Sequence, residues 1–370
     1  MTAKISKAHQ LSPLSAFFIP QSLQLGANFL LLPRPLVDYS AQDAWIGILI
    51  SGFISLAIMW LILRLLENEQ VYGRADLFSI HRRLFGKWVG NILNFILLGM
   101  VLLNLVRLLR YYTEIYQVWL FPNLSVFIFS TIICLIVGYI VLGGIRNIGG
   151  IALLSFIYLI PLFQTLNFTV PYLRFSNLLP MFDHTPLEIL KSCYFGATAY
   201  LNFELIVFFY PFIGQPEKAR KWAFFGMVTT IIIYLNLTIV GIMFSTQGAI
   251  QNTIWPFMSL LKALQIPFFN HAEKLATVFF VWSLVPNICL SVWIVIRGIK
   301  FSFPMVNQKY LIVMVLALSV GLSLLITNGE QIRGANQLYG IIGVIFTYGY
   351  LPLLLICQWL NKKSGRMYEN

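Results

Sequence analysis

The sequence predicts an all-α polytopic membrane protein of about ten transmembrane helices, arranged as two five-helix halves. Three observations carry this. Of 370 residues, 59% are hydrophobic and only 10% are charged, whereas soluble domains usually carry about 25% charged residues. The mean hydropathy is +0.80. Apolar runs of spanning length follow one another with short loops between them. Crossing a bilayer takes about 20 apolar residues per helix, so ten spans use roughly 200 residues and leave no room for a sizeable soluble domain. A water-soluble enzyme, a secreted disulfide scaffold and a disordered regulator are poorly matched to such a chain.

The first run, Pro13 to Pro33, follows a short basic segment with Lys4 and Lys7. It is read as a retained span rather than a cleaved signal, because it is long, carries Gln21, Gln24 and Asn28, and lacks a small-residue cleavage pattern. The other spans fall at about 44–66, 88–110, 124–143, 148–166, 189–212, 223–244, 275–298, 311–326 and 337–360. The third continues helix-like past Arg107 and Arg110 to Trp119, as a long tilted helix would. Loop 167–188 contains three prolines, and loop 245–274 holds an apolar stretch, Phe257–Leu264, expected as a short interfacial helix.

Lysine and arginine set the orientation. With the N-terminus in the cytoplasm, 17 of the 25 basic residues lie inside and six outside, with Arg107 and Arg110 near the outer part of the third helix. Both termini are then cytoplasmic. The net charge of +12 reads as a topology signal facing anionic lipid, not as a nucleic-acid surface. Cys134, Cys193, Cys289 and Cys357 read as buried small hydrophobes, and the four histidines lack metal-site spacing. No metal, no cofactor and no catalytic residue is expected, since no Walker motif, nucleophile elbow or paired Cys/His set occurs.

Spans one and six differ from the rest. The first carries Pro20, Gln21, Gln24, Gly26, Ala27 and Asn28; the sixth carries Gly196, Thr198, Tyr200, Asn202, Phe203 and Glu204. Proline removes a backbone donor and glycine weakens a helix, so each could merely kink. Their equivalent places in two five-helix halves (about 12–166 and 189–360) point instead to a pair of interrupted helices meeting at mid-membrane. Unwound backbone there offers N–H groups to an anion and carbonyls to a cation, which suits a zwitterion. Glu204 is the one acid well inside a span, either a ligand or proton-sensitive group or a structural hydrogen-bonder. Arg107, Arg110 and Glu114 share a helix face and are expected as a salt bridge near the outer headgroups. Asn94 on the third span, and Ser283 and Asn287 beside Pro286 on the eighth, are further pocket candidates, with helix packing as the alternative.

Several local patterns then converge. They are Gly26 with Leu31-Leu32-Pro33, Asp43-Ala44-Trp45, Leu84-Phe85-Gly86-Lys87, Arg110 with Glu114, Asn177-Leu178-Leu179-Pro180, Phe203-Glu204 with Pro211, and Trp255-Pro256. In their order and spacing the chain resembles the B subunits of endospore germinant receptors, a permease-like family of the amino acid–polyamine–organocation superfamily. The resemblance implies a 5+5 inverted-repeat fold similar to amino acid transporters. It also implies residence in the inner membrane of the spore beside A and C partner subunits, and a small nutrient ligand, an amino acid, between the first, third, sixth and eighth helices. Carried onto this chain, the first-helix break maps to Gly26, Ala27 and Asn28 and the sixth to Tyr200, Asn202, Phe203 and Glu204; with Gln24, Asn94, Ser283 and Asn287 from the residue reading above, these make up the expected ligand site. Related permeases often have glycines just before the sixth-span Phe-Glu; here Leu201-Asn202 stand there. An ion- or proton-coupled permease and a water or ion conduit are the competing functions, since fold alone does not choose among them.

Overall fold

The computed structural model describes residues 6, 9–73, 75–263 and 271–363, without the side chains of Ala27, Asn28 and Lys363. Among them there is no β-strand; the elements are helices joined by short connections. In order these are α1 (Ser15–Gln24), α2 (Ala27–Leu31), α3 (Arg34–Ser40), α4 (Ala44–Gln70), α5 (Leu77–Trp119), α6 (Val126–Leu142), α7 (Ile145–Gln164), α8 (Pro186–Tyr200), α9 (Ile206–Phe209), α10 (Pro216–Phe244), α11 (Gln247–Gln251), α12 (Pro256–Ala263), α13 (Ala272–Ser302), α14 (Gln308–Leu324), α15 (Gly329–Val344) and α16 (Leu351–Lys363). A π turn, Ile345–Tyr350, joins the last two.

Among the described residues six helical stretches are long and apolar enough to cross a membrane, and a seventh is a pair, Pro186–Tyr200 and Phe203–Phe212, bent by 42° at its break. The expected count of ten also takes in α6 and α14, which are apolar but 17 residues long, and the interrupted first segment. The outer faces are unlike those of a soluble bundle. Leu135, Val313, Ile232 and Phe53 are all more than half exposed, which is favourable only where the surrounding solvent is hydrocarbon.

One element gains a break, and one expectation changes. α5 is one 43-residue element, but Gly86 takes φ 78°, ψ 174° inside it. That left-handed-side backbone suits glycine, and it splits a short leading segment from the spanning helix. The apolar segment of loop 245–274 forms α12, but its Phe257, Met258, Leu260 and Leu261 are buried and it packs on α2, α10 and α13. Its apolar side therefore packs into the bundle rather than facing lipid; Leu264 lies outside the described residues.

The core gathers around the broken helices. α1 packs on α10, α7 and α13, and α13 packs on α5. α8 is brought against α4 by small residues at matching steps. A methyl added at Gly47 would stand 2.3 Å from Ser192 Oγ, and one at Gly196 would stand 2.2 Å from Ser51 Oγ and 3.1 Å from the Gly47 carbonyl. This is a Gly47-x-x-x-Ser51 ridge against a Ser192-x-x-x-Gly196 ridge, the small-residue packing that lets membrane helices approach closely. It fixes the end of α8, and so the height of the sixth-segment break. Capping anchors the other end of α8: Thr185 and Glu188 form a reciprocal capping box. At the end of α4 away from Asp43, Arg83 pairs with Glu69 and Arg297 with Asp76, tying the leading segment of α5 to α4 and α13.

Replacing Gly47 by leucine forces α4 and α8 apart, and overpacking of this kind costs about 1–3 kcal/mol. The detergent-purified Gly47→Leu protein is expected to melt at a lower temperature than the parent; an unchanged melting temperature would show that this seam does not position α8.

Candidate functional site

The first interruption lies at Leu25–Gly26. α1 runs unbroken through Pro20, so the proline kinks nothing out of register and the break falls one turn later. Gly26 leaves helical geometry at φ −104°, ψ −128°, and α2 begins at Ala27. The site needs glycine for space. A Cβ on Gly26 would lie 3.2 Å from Tyr112 Oη and 3.9 Å from Ser283 Oγ.

The second interruption is deeper. α8 ends at Tyr200, Leu201 is extended (φ −52°, ψ 163°), and Asn202 is left-handed at φ 85°. Asparagine is the non-glycine residue that best tolerates this region, so the turn forms here without a glycine. A single 3-10 turn, Phe203–Leu205, then leads into α9.

Both breaks free main-chain carbonyls, and lipid supplies no donor for them. Side chains on neighbouring helices do. Gln24 Nε2 donates to the Tyr200 carbonyl at 2.7 Å. Tyr234, on α10, places its hydroxyl 2.6 Å from the Gln24 carbonyl and 3.2 Å from that of Ala199. Asn287 Nδ2 donates to the Leu23 carbonyl at 3.3 Å. Gln24 is itself held by Thr230, whose hydroxyl lies 2.8 Å from Gln24 Oε1 and 3.0 Å from Gln21 Oε1. The two interruptions are thus joined directly, across 176 residues of chain.

Glu204 is fully buried. Its Oε2 accepts the Asn202 N–H at 2.7 Å, closing the left-handed turn on itself, and Thr347 of the π turn faces it. Asn202 Oδ1 accepts from the Tyr339 hydroxyl at 2.7 Å. Phe203 is buried with its ring 6.4 Å from that of Tyr348. Tyr200 directs its hydroxyl to the Ile48 carbonyl at 3.3 Å. Ser283 lies 2.8 Å from the Tyr112 hydroxyl, opposite Gly26.

Of the residues expected from sequence, the structure gathers Gln24, Gly26, Tyr200, Asn202, Phe203, Glu204, Ser283 and Asn287 around the paired breaks. The side chains of Ala27 and Asn28 lie outside the described residues. Asn94 is elsewhere. It accepts from or donates to His81 Nδ1 at 2.7 Å and reaches the Phe78 carbonyl, some ten residues along α5 from Asn104, or roughly 15 Å at helical rise. Tyr112, Tyr234, Tyr339 and Thr230 went unnoticed in the sequence, because isolated tyrosines and threonines in apolar runs carry no signal until their partners are known.

The expected outer salt bridge is replaced by something else. Among the described residues Arg110 and Glu114 form no ion pair; Arg110 Nε donates to the Ile326 carbonyl at 2.8 Å. Arg107 is 4% exposed and donates to Asn104 Oδ1 at 2.6 Å and Asn336 Oδ1 at 3.0 Å. α15 packs on this face of α5, so protein covers what the sequence assigned to headgroups.

Comparison with known proteins agrees with this architecture. The family described as "Spore germination protein" matches residues 10–331. The chain is 31% identical to spore germination protein GerQB of Bacillus cereus, over 97% of this chain and 98% of that one. It is 25% identical to spore germination protein B2 of Bacillus subtilis (strain 168), over 70% of each. Among solved structures, the substrate-bound outward-open state of a Na+-coupled sialic acid symporter superposes with a TM-score of 0.64 at 11% identity, covering 96% of this chain and 80% of that one. That likeness is one of fold.

The left-handed Asn202 yields a specific expectation. Asn202→Gly keeps the backbone and loses only the acceptor for Tyr339, whereas Asn202→Val adds about 1–2 kcal/mol of backbone strain. In purified protein the valine variant should melt well below the glycine variant. Equal melting temperatures would mean that the turn does not hold this conformation.

Proposed function

The chain belongs to the spore germination protein family, and from that premise we propose that it is the membrane-embedded, nutrient-binding subunit of a germinant receptor. A small nutrient, an amino acid, binds between the two helix breaks and shifts the bundle toward the conformation that binds it better. Partner subunits of the A and C kind read that shift and start germination. The chain lies in the inner membrane of the spore with both termini in the cytoplasm, and its two halves, about 12–166 and 189–360, are inverted repeats around the site.

The observation that carries this reading is the junction of the breaks: Gln24, Tyr200 and Tyr234 hold two unwound segments side by side within the bundle. Paired interruptions of this kind supply backbone donors and acceptors to a small polar guest in transporter-like folds. A second reading, an ion- or proton-coupled permease, draws on Glu204, a carboxylate wholly buried and without an ion pair among the described residues. Substrate uptake by the chain expressed alone would favour it over the receptor.

Gly26→Leu drives a side chain into Tyr112 and Ser283. Spores carrying it are expected to lose their response to nutrient while the protein still reaches the membrane, as measured by germination dose curves alongside immunoblots of spore membranes. Germination at unchanged nutrient concentrations would place the site elsewhere.

A further inference from the structure

Arg107 is a cation in the interior of a membrane bundle with no carboxylate in ion-pair reach among the described residues. Its neighbours are neutral. Two asparagine oxygens, of Asn104 and Asn336, accept from its terminal nitrogens, the Tyr339 ring lies 4.3 Å beneath the guanidinium, and Tyr111 and Tyr112 are close. Its Nε is buried without a hydrogen-bond partner. Taking a guanidinium out of water costs several kcal/mol, which amides and rings offset only in part. Charged residues inside membrane spans mark ligand and ion sites by default.

Its place on α5 is set by its neighbours. Asn104 reaches Asn287 at 3.3 Å, and Asn287 holds the Leu23 carbonyl before the first break. Tyr112 reaches Ser283 and faces Gly26. Arg107 lies between these two contacts, at the height of the first break. Its stacked partner Tyr339 donates to Asn202 in the second break. The cation therefore adjoins both interruptions, and the buried carboxylate of Glu204 lies beyond Asn202.

We infer that Arg107 is the anion-binding, specificity-determining group of this site, and that the carboxylate of the bound amino acid completes its buried charge. A guanidinium edge with a free N–H is suited to a carboxylate. The inference rests on the binding site and amino acid ligand proposed above and adds to them the residue that recognises the ligand's carboxylate.

The test is equilibrium binding to the purified full-length chain in lipid nanodiscs. The probes are the twenty standard amino acids, their carboxamides, and D-glucose as an uncharged control. The parent protein is expected to bind at least one amino acid about tenfold or more tightly than its carboxamide, a difference of about 1.4 kcal/mol. Arg107→Gln brings the two affinities together by weakening the acid alone, and Arg107→Lys, which keeps the charge, retains part of the preference. A merely structural arginine would weaken both probes alike. Several results overturn the inference. An acid-to-amide ratio unchanged in Arg107→Gln, with binding still abolished by Gly26→Leu, removes Arg107 and leaves the site standing. Equal affinities in the parent, or binding of glucose alone, exclude a carboxylate requirement even where Arg107→Gln fails to fold. Binding of no probe overturns the site and the inference together.

Discussion

The amide of Gln24 donating to the carbonyl of Tyr200 is the contact on which the arrangement depends. A helix interrupted inside a bilayer exposes main-chain groups that hydrocarbon does not satisfy, at a cost of several kcal/mol each. One broken helix would need its own set of compensating side chains. Two broken helices placed together share one: Gln24 belongs to the first and serves the second, and Tyr234 stands at both. The breaks stabilise each other only while they are adjacent. Their adjacency is in turn set by the Gly47/Ser51 and Ser192/Gly196 seam that locates α8, and by the packing of α1 on α10.

Compensation is not complete, and the proposed function draws on the remainder. The carbonyls before each break are engaged by Asn287, Tyr234 and Gln24, which makes the two ends rigid. An ionisable group on each side, Arg107 and Glu204, is buried without an oppositely charged partner in ion-pair reach among the described residues. Fully matched charges would close the bundle into one conformation. Under the proposed function, unmatched ones leave free energy that a bound zwitterion would recover, and a ligand shifts a conformational balance only by such differential binding.

The sequence foretold more of the fold than of the site. Composition and apolar runs were enough for an all-helical membrane protein, because hydropathy reports directly on solvent. The interruptions were visible as Gly26 and as the polar cluster Tyr200–Glu204, since the residues that break helices are few. Pro20, though also a breaker, proved to sit inside α1, where its missing donor is tolerated. Arg107 was misplaced for a physical reason. Its three-residue spacing to Arg110 and seven to Glu114 suggested a local ion pair, but α15 covers that face, and the partners Asn336 and Tyr339 come from over 200 residues away. Asn94 was equally out of reach of sequence reasoning. Its amide serves His81 at the far end of α5, which only the course of the helix reveals.

The central claim is that both breaks form one site. Hydrogen–deuterium exchange of the purified chain, with and without an amino acid that it binds, tests this most directly. The account predicts that amides in 25–29 and in 201–205 gain protection together when ligand is added, while the continuous α6 and α14 do not change. Protection confined to one break, or ligand-dependent protection only at segments remote from both, would contradict it.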